Sequence, residues 1–165
     1  LLMAPSGVNK GQIAPTQLVI VDEQQNVIEG EGRASAETAL HIEIIKKLKC
    51  SAVLHTHSIY ATVLSDYFEK QAAIRLEGWE MLKGIKGIST HETSIDIPIV
   101  ANNQDMKELS RVVYTYLNGN IPGILVAGHG LYAWGDSLAE AQRHVEILEF
   151  LFSAVWHKQL LPTVR

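Results

Sequence analysis

Ser35-Ala-Glu-Thr-Ala-Leu-His-Ile-Glu-Ile-Ile-Lys-Lys-Leu-Lys-Cys-Ser-Ala-Val-Leu-His-Thr-His57 holds two patterns in succession. Ser35 is placed to cap a helix running to about Lys49. Leu40, Ile44, Ile45 and Leu48 follow the i, i+4, i+8 spacing of one buried stripe, and Lys46, Lys47 and Lys49 lie near the negative end of the helix dipole. From Ser51 to His57 the pattern becomes a short apolar run, which reads as a strand. The same alternation recurs downstream. Asn103 is placed to cap a helix presenting Met106, Leu109, Val112, Val113 and Tyr116, ending at Gly119. Gly123 to Ala127 is an apolar strand, Gly128-His129-Gly130 interrupts it, and Leu131 to Trp134 resumes before Gly135-Asp136 turns the chain. Ser137 and Glu140 form a capping box, opening a helix of about twenty residues along the stripe Leu138, Ala141, Val145, Leu148, Leu151, Phe152 and Val155. Upstream, Leu18 to Asp22, the polar Glu23 to Asn26, and Val27-Ile28 read as a hairpin. Strands alternating with helices predict an α/β fold whose sheet is covered by helices.

The chain has 165 residues, 47% of them hydrophobic, enough for one domain with a substantial core. Fourteen Lys and Arg against 18 Asp and Glu leave a formal net charge of −4, so no basic field is available to hold a nucleic-acid backbone. The longest apolar runs, Leu18 to Val21 and Ile121 to Ala127, fall well short of the roughly 20 residues of a membrane span. A soluble protein without nucleic-acid or membrane partners is expected. Cys50 is the single cysteine, which excludes an internal disulfide and a Cys-based zinc finger and fits a reducing cytoplasm. The opening Leu-Leu-Met-Ala-Pro-Ser-Gly lacks the basic start and apolar stretch of a signal peptide.

The seven histidines are not equivalent. His55 and His57 are two apart in a predicted strand, so the pleat turns both imidazoles to one side of the sheet. His129 lies between two glycines at the end of another apolar strand, where backbone and ligand can approach closely. Together they make a three-His set suited to a catalytic zinc with one open position. The blander reading of His129 is a hydrogen-bonded turn residue. His144 is read as a surface or interface residue and His157 as solvated. His41, one turn after Glu37, is read as a structural Glu–His pair, and His91 stays ambiguous.

Metal-assisted proton abstraction needs a carboxylate base as well. Glu80, in Leu76-Glu-Gly-Trp-Glu-Met-Leu-Lys-Gly84, has apolar neighbours expected to raise its pKa into a useful range. Glu37 is expected in the first turn of its helix, where the dipole favours the ionised form, with simple helix-end electrostatics as the alternative. Ser6-Gly7 and the helix start at Ser35 offer the hydroxyls and N–H groups an anion requires, although such residues are ordinary turn and cap signals.

Taken in order, Ala4-Pro-Ser-Gly7, Ser35-Ala-Glu-Thr-Ala-Leu-His41, His55-Thr-His-Ser58, Glu77-Gly-Trp-Glu-Met-Leu-Lys-Gly84 and His129-Gly-Leu-Tyr-Ala-Trp-Gly135 resemble the class II aldolase family, which includes the adducin head. The resemblance covers the chain nearly end to end, and its last two segments are most similar to the dehydratase branch. It implies a three-layer α/β/α fold with a mainly antiparallel central sheet, usually assembled as a homotetramer with active sites between subunits. It implies that His55, His57 and His129 bind one zinc per subunit and that Glu80 is the general acid/base, with Glu37 as the rival base of the aldolase branch. A sugar phosphate is then the implied substrate, its phosphate held by Ser6, Gly7 and Ser35. Ala36 replaces a serine of some relatives, and the Gly-Asn-x-Ser loop that precedes these motifs in the family is missing. The chain is therefore expected to be a single domain, 1–165, without its natural N-terminal segment. A zinc-dependent dehydratase is the leading expectation. Its alternatives are a sugar-phosphate aldolase or epimerase, and a non-catalytic adducin-like interaction module.

Overall fold

A computed structural model describes residues 1–162. The predicted hairpin forms from β2 (Val19–Val21) and β3 (Val27–Glu29), which pair antiparallel, and β1 (Leu2–Met3) pairs antiparallel with the other edge of β2. Asp22 closes the β2–β3 turn, its carboxylate accepting from the N–H groups of Gln24 and Asn26 at 2.9 and 2.8 Å.

A five-stranded sheet forms the centre. It contains β4 (Ala52–Thr56), β5 (Ala73–Glu77), β6 (Ser94–Val100), β7 (Gly123–Val126) and β8 (Gly130–Gly135) in the order β4-β8-β7-β6-β5. Only β6 and β7 run parallel, and the other neighbours are antiparallel. The interruption at Gly128-His129-Gly130 is a reversal: β7 and β8 pair as a hairpin, and Gly128 takes the left-handed φ of +61° that the turn requires.

Helices cover both faces. On one face α1 (Thr38–Leu48) and α3 (Met106–Tyr116) bury Leu40, Ile44, Leu109 and Val113 against Ile124, Val126, Tyr132 and Trp134. On the other, α2 (Ile59–Tyr67) and α4 (Leu138–Leu160) bury Ala61, Leu64, Leu148, Leu151 and Phe152 against Ile97, Ile99, Leu125 and Leu131. This is the three-layer α/β/α arrangement with a mainly antiparallel sheet. Each fully buried Leu, Ile or Phe side chain contributes about 1.5–3 kcal/mol of transfer free energy, so both layers are held chiefly by apolar burial.

Several helix boundaries differ from expectation. α1 starts at Thr38, with Glu37 as its N-cap, while the Ser35 hydroxyl accepts only a long 3.4 Å bond from the Glu37 N–H. α3 is capped by Asp105, which takes the N–H groups of Lys107 and Glu108, and Asn103 instead receives the Asp105 N–H. In α4 the Ser137 hydroxyl accepts from the Glu140 N–H as expected, but the Glu140 carboxylate takes the N–H of Asp136, and Leu138 at the stripe's start is exposed. The elements β1, α2, β5 and β6 were not legible in the sequence.

Candidate metal centre

The sheet register decides which residues meet. Thr56 pairs with Leu131, Val126 with Gly130 and Val100, and Pro98 with Ala73, so the C-terminal ends of β4, β7 and β6 share one end of the sheet. His55 and His57 leave that end on β4, and His129 sits in the β7–β8 turn beside them. The Nε2 atoms of His55 and His57 are 2.7 Å apart, and those of His57 and His129 are 3.1 Å apart. Glu37 enters from the start of α1, its Oε1 lying 3.3 Å from Nε2 of both His55 and His129 and 4.0 Å from that of His57. The four donor atoms all lie within 4.8 Å of one another.

This donor set fits a divalent cation. The His55 Nδ1 lies 2.8 Å from the Leu131 carbonyl, which can only accept; in neutral His55 the proton is therefore on Nδ1 and the Nε2 lone pair faces the cluster. His55 also stacks on Tyr132, with ring centroids 4.0 Å apart and an interplanar angle of 17°. Burial and the charge of neighbouring His55 lower the proton affinity of His57 and His129, which favours the neutral imidazoles a metal needs. Contact with the His55 ring, whose Nε2 lies 3.3 Å from Oε1, is the main cause that holds the Glu37 carboxyl down to about 2, so this group is ionised at every physiological pH. Three neutral nitrogens and one carboxylate oxygen, turned toward a common point, are a donor set of the kind that binds a divalent ion.

A cleft of about 1190 Å³ opens on this centre and is lined by Lys10, Ser35, Glu37, His41 and His55 among others. Ala4 and Ser35 also line it; between them in the fold, the Ser6 N–H donates to the Arg33 carbonyl at 2.8 Å, and Gly7 has a left-handed φ of +79°. That bond ties the Ser6-Gly7 turn to the chain two residues before Ser35, which does not cap α1.

Glu80 does not have the environment expected for it. It starts the 3₁₀ turn Glu80–Gly84, its side chain is 68% exposed, and it pairs with Lys83 and with His91 at 3.4 Å. The Lys83 hydrogen bond lowers its pKa, the reverse of the elevation that apolar neighbours would cause. Glu80 follows Glu77, which pairs with Ser94 at the end of the sheet opposite to the histidines. His144 is also corrected: it is 4% exposed, its ring bridging the Trp134 carbonyl and the Lys86 N–H. His41 packs edge-on against Tyr132, and His157 is exposed, 2.8 Å from the Ser153 carbonyl. Lys10, whose charge also acts on Glu37, carries no motif in the sequence.

A family model described as the class II aldolase and adducin N-terminal domain matches residues 1–156. The chain belongs to this family. Among class II aldolase relatives, the methylthioribulose-1-phosphate dehydratase of Stenotrophomonas maltophilia (strain K279a) is 44% identical over 149 residues, covering 89% of this chain and 70% of that protein. The enzyme of the same name from Xanthomonas campestris pv. campestris (strain 8004) is 43% identical over 148 residues, covering 88% of this chain and 68% of its own. Among solved class II aldolase structures, L-fuculose-1-phosphate aldolase from Thermus thermophilus superposes with a TM-score of 0.74 at 25% identity, covering 96% of this chain and 78% of that one.

Proposed function

We propose that this chain is the catalytic domain of a zinc-dependent hydro-lyase that converts 5-methylthioribulose 1-phosphate to 5-methylthio-2,3-dioxopentyl phosphate and water, a step of methionine salvage. The observation that carries the reading is the convergence of Glu37, His55, His57 and His129 on one point. The choice of substrate is supported by the relatives' name and by a cleft large enough for a pentose phosphate.

A bound divalent ion supplies polarisation of the C2 carbonyl, which acidifies the adjacent C3–H. The three imidazoles and Glu37 hold that ion; the Ser6-Gly7 turn and Ser35 orient the phosphate, so that C3 is presented in a fixed position. Glu80 removes the C3 proton and returns it to the departing C4 hydroxyl as water leaves. The enol that remains tautomerises to the diketone, so one carboxyl group acts first as base and then as acid. Since Glu80 stands at the other end of its own sheet, this role requires the Glu80 of a second copy. The exposed apolar side chains Ile59 and Tyr67 on α2, directly after the His55-Thr-His57 segment, support a subunit contact beside the centre. A single, buried Cys50 supports a cytoplasmic setting.

The test is turnover of synthetic methylthioribulose phosphate with and without a chelator. Activity lost on chelation and restored by zinc is expected, and activity indifferent to the chelator overturns the metal reading. Glu80→Gln is expected to keep zinc and lose turnover, whereas full activity in that variant would move the base to Glu37. The fold shared with a fuculose-phosphate aldolase favours, as second reading, cleavage of C3–C4. Release of dihydroxyacetone phosphate, detected by a coupled dehydrogenase, would decide for it.

A further inference from the structure

Behind the metal centre, on the opposite face of the sheet, lies a carboxylate that the proposed reaction does not use. Glu149, midway along α4, accepts a hydrogen bond on Oε1 from the Thr56 hydroxyl at 2.8 Å and one on Oε2 from the Ser58 hydroxyl. These two hydroxyls stand on either side of His57 in the chain. The pleat that turns His55 toward the cluster turns Thr56 toward α4. Glu149 is half-buried and makes no ion pair among the described residues, so both its oxygens are committed to the strand that carries the histidines.

Ser58 also begins α2, its Oγ accepting from the Ala61 N–H at 3.0 Å. The same helix grips the other histidine loop. The Thr62 hydroxyl donates to the His129 carbonyl at 3.1 Å, and the Ser65 hydroxyl joins the Val126 carbonyl at 3.3 Å to the Gly128 N–H at 3.1 Å. One helix therefore touches the backbone on both sides of the cluster, and Glu149 secures its first turn to the end of β4.

We propose that Glu149 is a positioning residue for the metal centre. By holding Thr56 and Ser58 it fixes where the His57 imidazole stands relative to that of His129, and so sets the affinity and geometry of the bound ion without touching it. The inference rests on the reading of the cluster as a divalent-metal centre. Groups one step behind metal ligands typically change affinity 10- to 100-fold when removed.

The experiment measures zinc affinity of the purified chain by competition with a chromophoric chelator, together with the visible absorption spectrum of its cobalt-loaded form. Glu149→Ala is expected to weaken zinc about 10-fold or more and to shift the cobalt bands. Glu146→Ala, on the same helix with its carboxylate bonded among the described residues only to Gln142, is expected to change neither. A purely structural role would lower the melting temperature of the metal-free chain and leave affinity and spectrum as they were, and that result overturns the proposal. If Glu149→Ala does not fold, Thr56→Val carries the test. A severalfold loss of zinc affinity supports the proposal, and an unchanged affinity overturns it. Failure of the unsubstituted chain to bind any divalent ion would instead overturn the metal-centre reading, and this inference with it.

Discussion

Glu37 reaches the cluster because α1 begins at Thr38: as the N-cap residue it stands at the helix entrance, where its carboxylate lies beside three imidazoles. The same crowding acts on His41 one turn later. Burial is the main cause that pushes His41 down to about 4, against an ordinary value of 6.5. Between these two pH values the unfolded chain binds a proton at this position and the folded chain does not. Stability from His41 is therefore complete above pH 6.5 and is lost as the pH falls toward 4, by up to about 1.4 kcal/mol per pH unit. His41→Gln should show a flatter decline of melting temperature over that range than the unsubstituted chain, and parallel declines would refute the assignment.

At the scale of elements, the β4–β8 pair determines the distance between the histidine loops. Gly130 opens β8 directly after His129, and a Cβ there would collide with the Thr56 carbonyl oxygen and crowd the His57 ring at 3.2 Å. A backbone oxygen in a ladder cannot move aside as a flexible side chain can. Gly130→Ala should cost about 1–3 kcal/mol, which for a chain of this length lowers the melting temperature by roughly 2–4 °C per kcal/mol. Thermal unfolding checks the first effect, and weakened zinc retention on dialysis checks the accompanying displacement of His129. A variant with both properties unchanged would show that the contact is relieved elsewhere.

For the whole molecule, the sheet's two ends divide the chemistry. The His–Glu cluster is at one end and Glu80 follows β5 at the other, so the proposed site, which uses both, would be assembled from two copies. This arrangement has a measurable consequence in mixtures. Glu80→Gln and His55→Ala chains are each expected to be inactive alone, but random mixed assemblies place intact His55 beside intact Glu80 in roughly a quarter of the sites. Unfolding and co-refolding the two variants should therefore restore part of the activity. No recovery, under conditions where the unsubstituted chain refolds to full activity, would count against the shared site.

Apolar periodicity and punctuation revealed α1, α3, α4 and the strands β2, β3, β4, β7 and β8, because those signals are local: stripes repeat within a helix, and turn residues mark the places where the chain must turn. The His-x-His pair and the Gly-His-Gly turn were legible for the same reason, and the family followed from the order of the motifs. Tertiary structure decided what local patterns do not carry. Strand order and direction depend on pairings between segments far apart in the chain, and these brought His129 to His57 and left Glu80 at the far end of the sheet. They also turned Glu37 from a helix-end charge into a donor of the cluster and gave Glu149 its two hydroxyl partners. A carboxylate's neighbours across the fold, not those along the chain, set its electrostatics, which is why Glu80 among apolar residues in sequence is an exposed, ion-paired group in space.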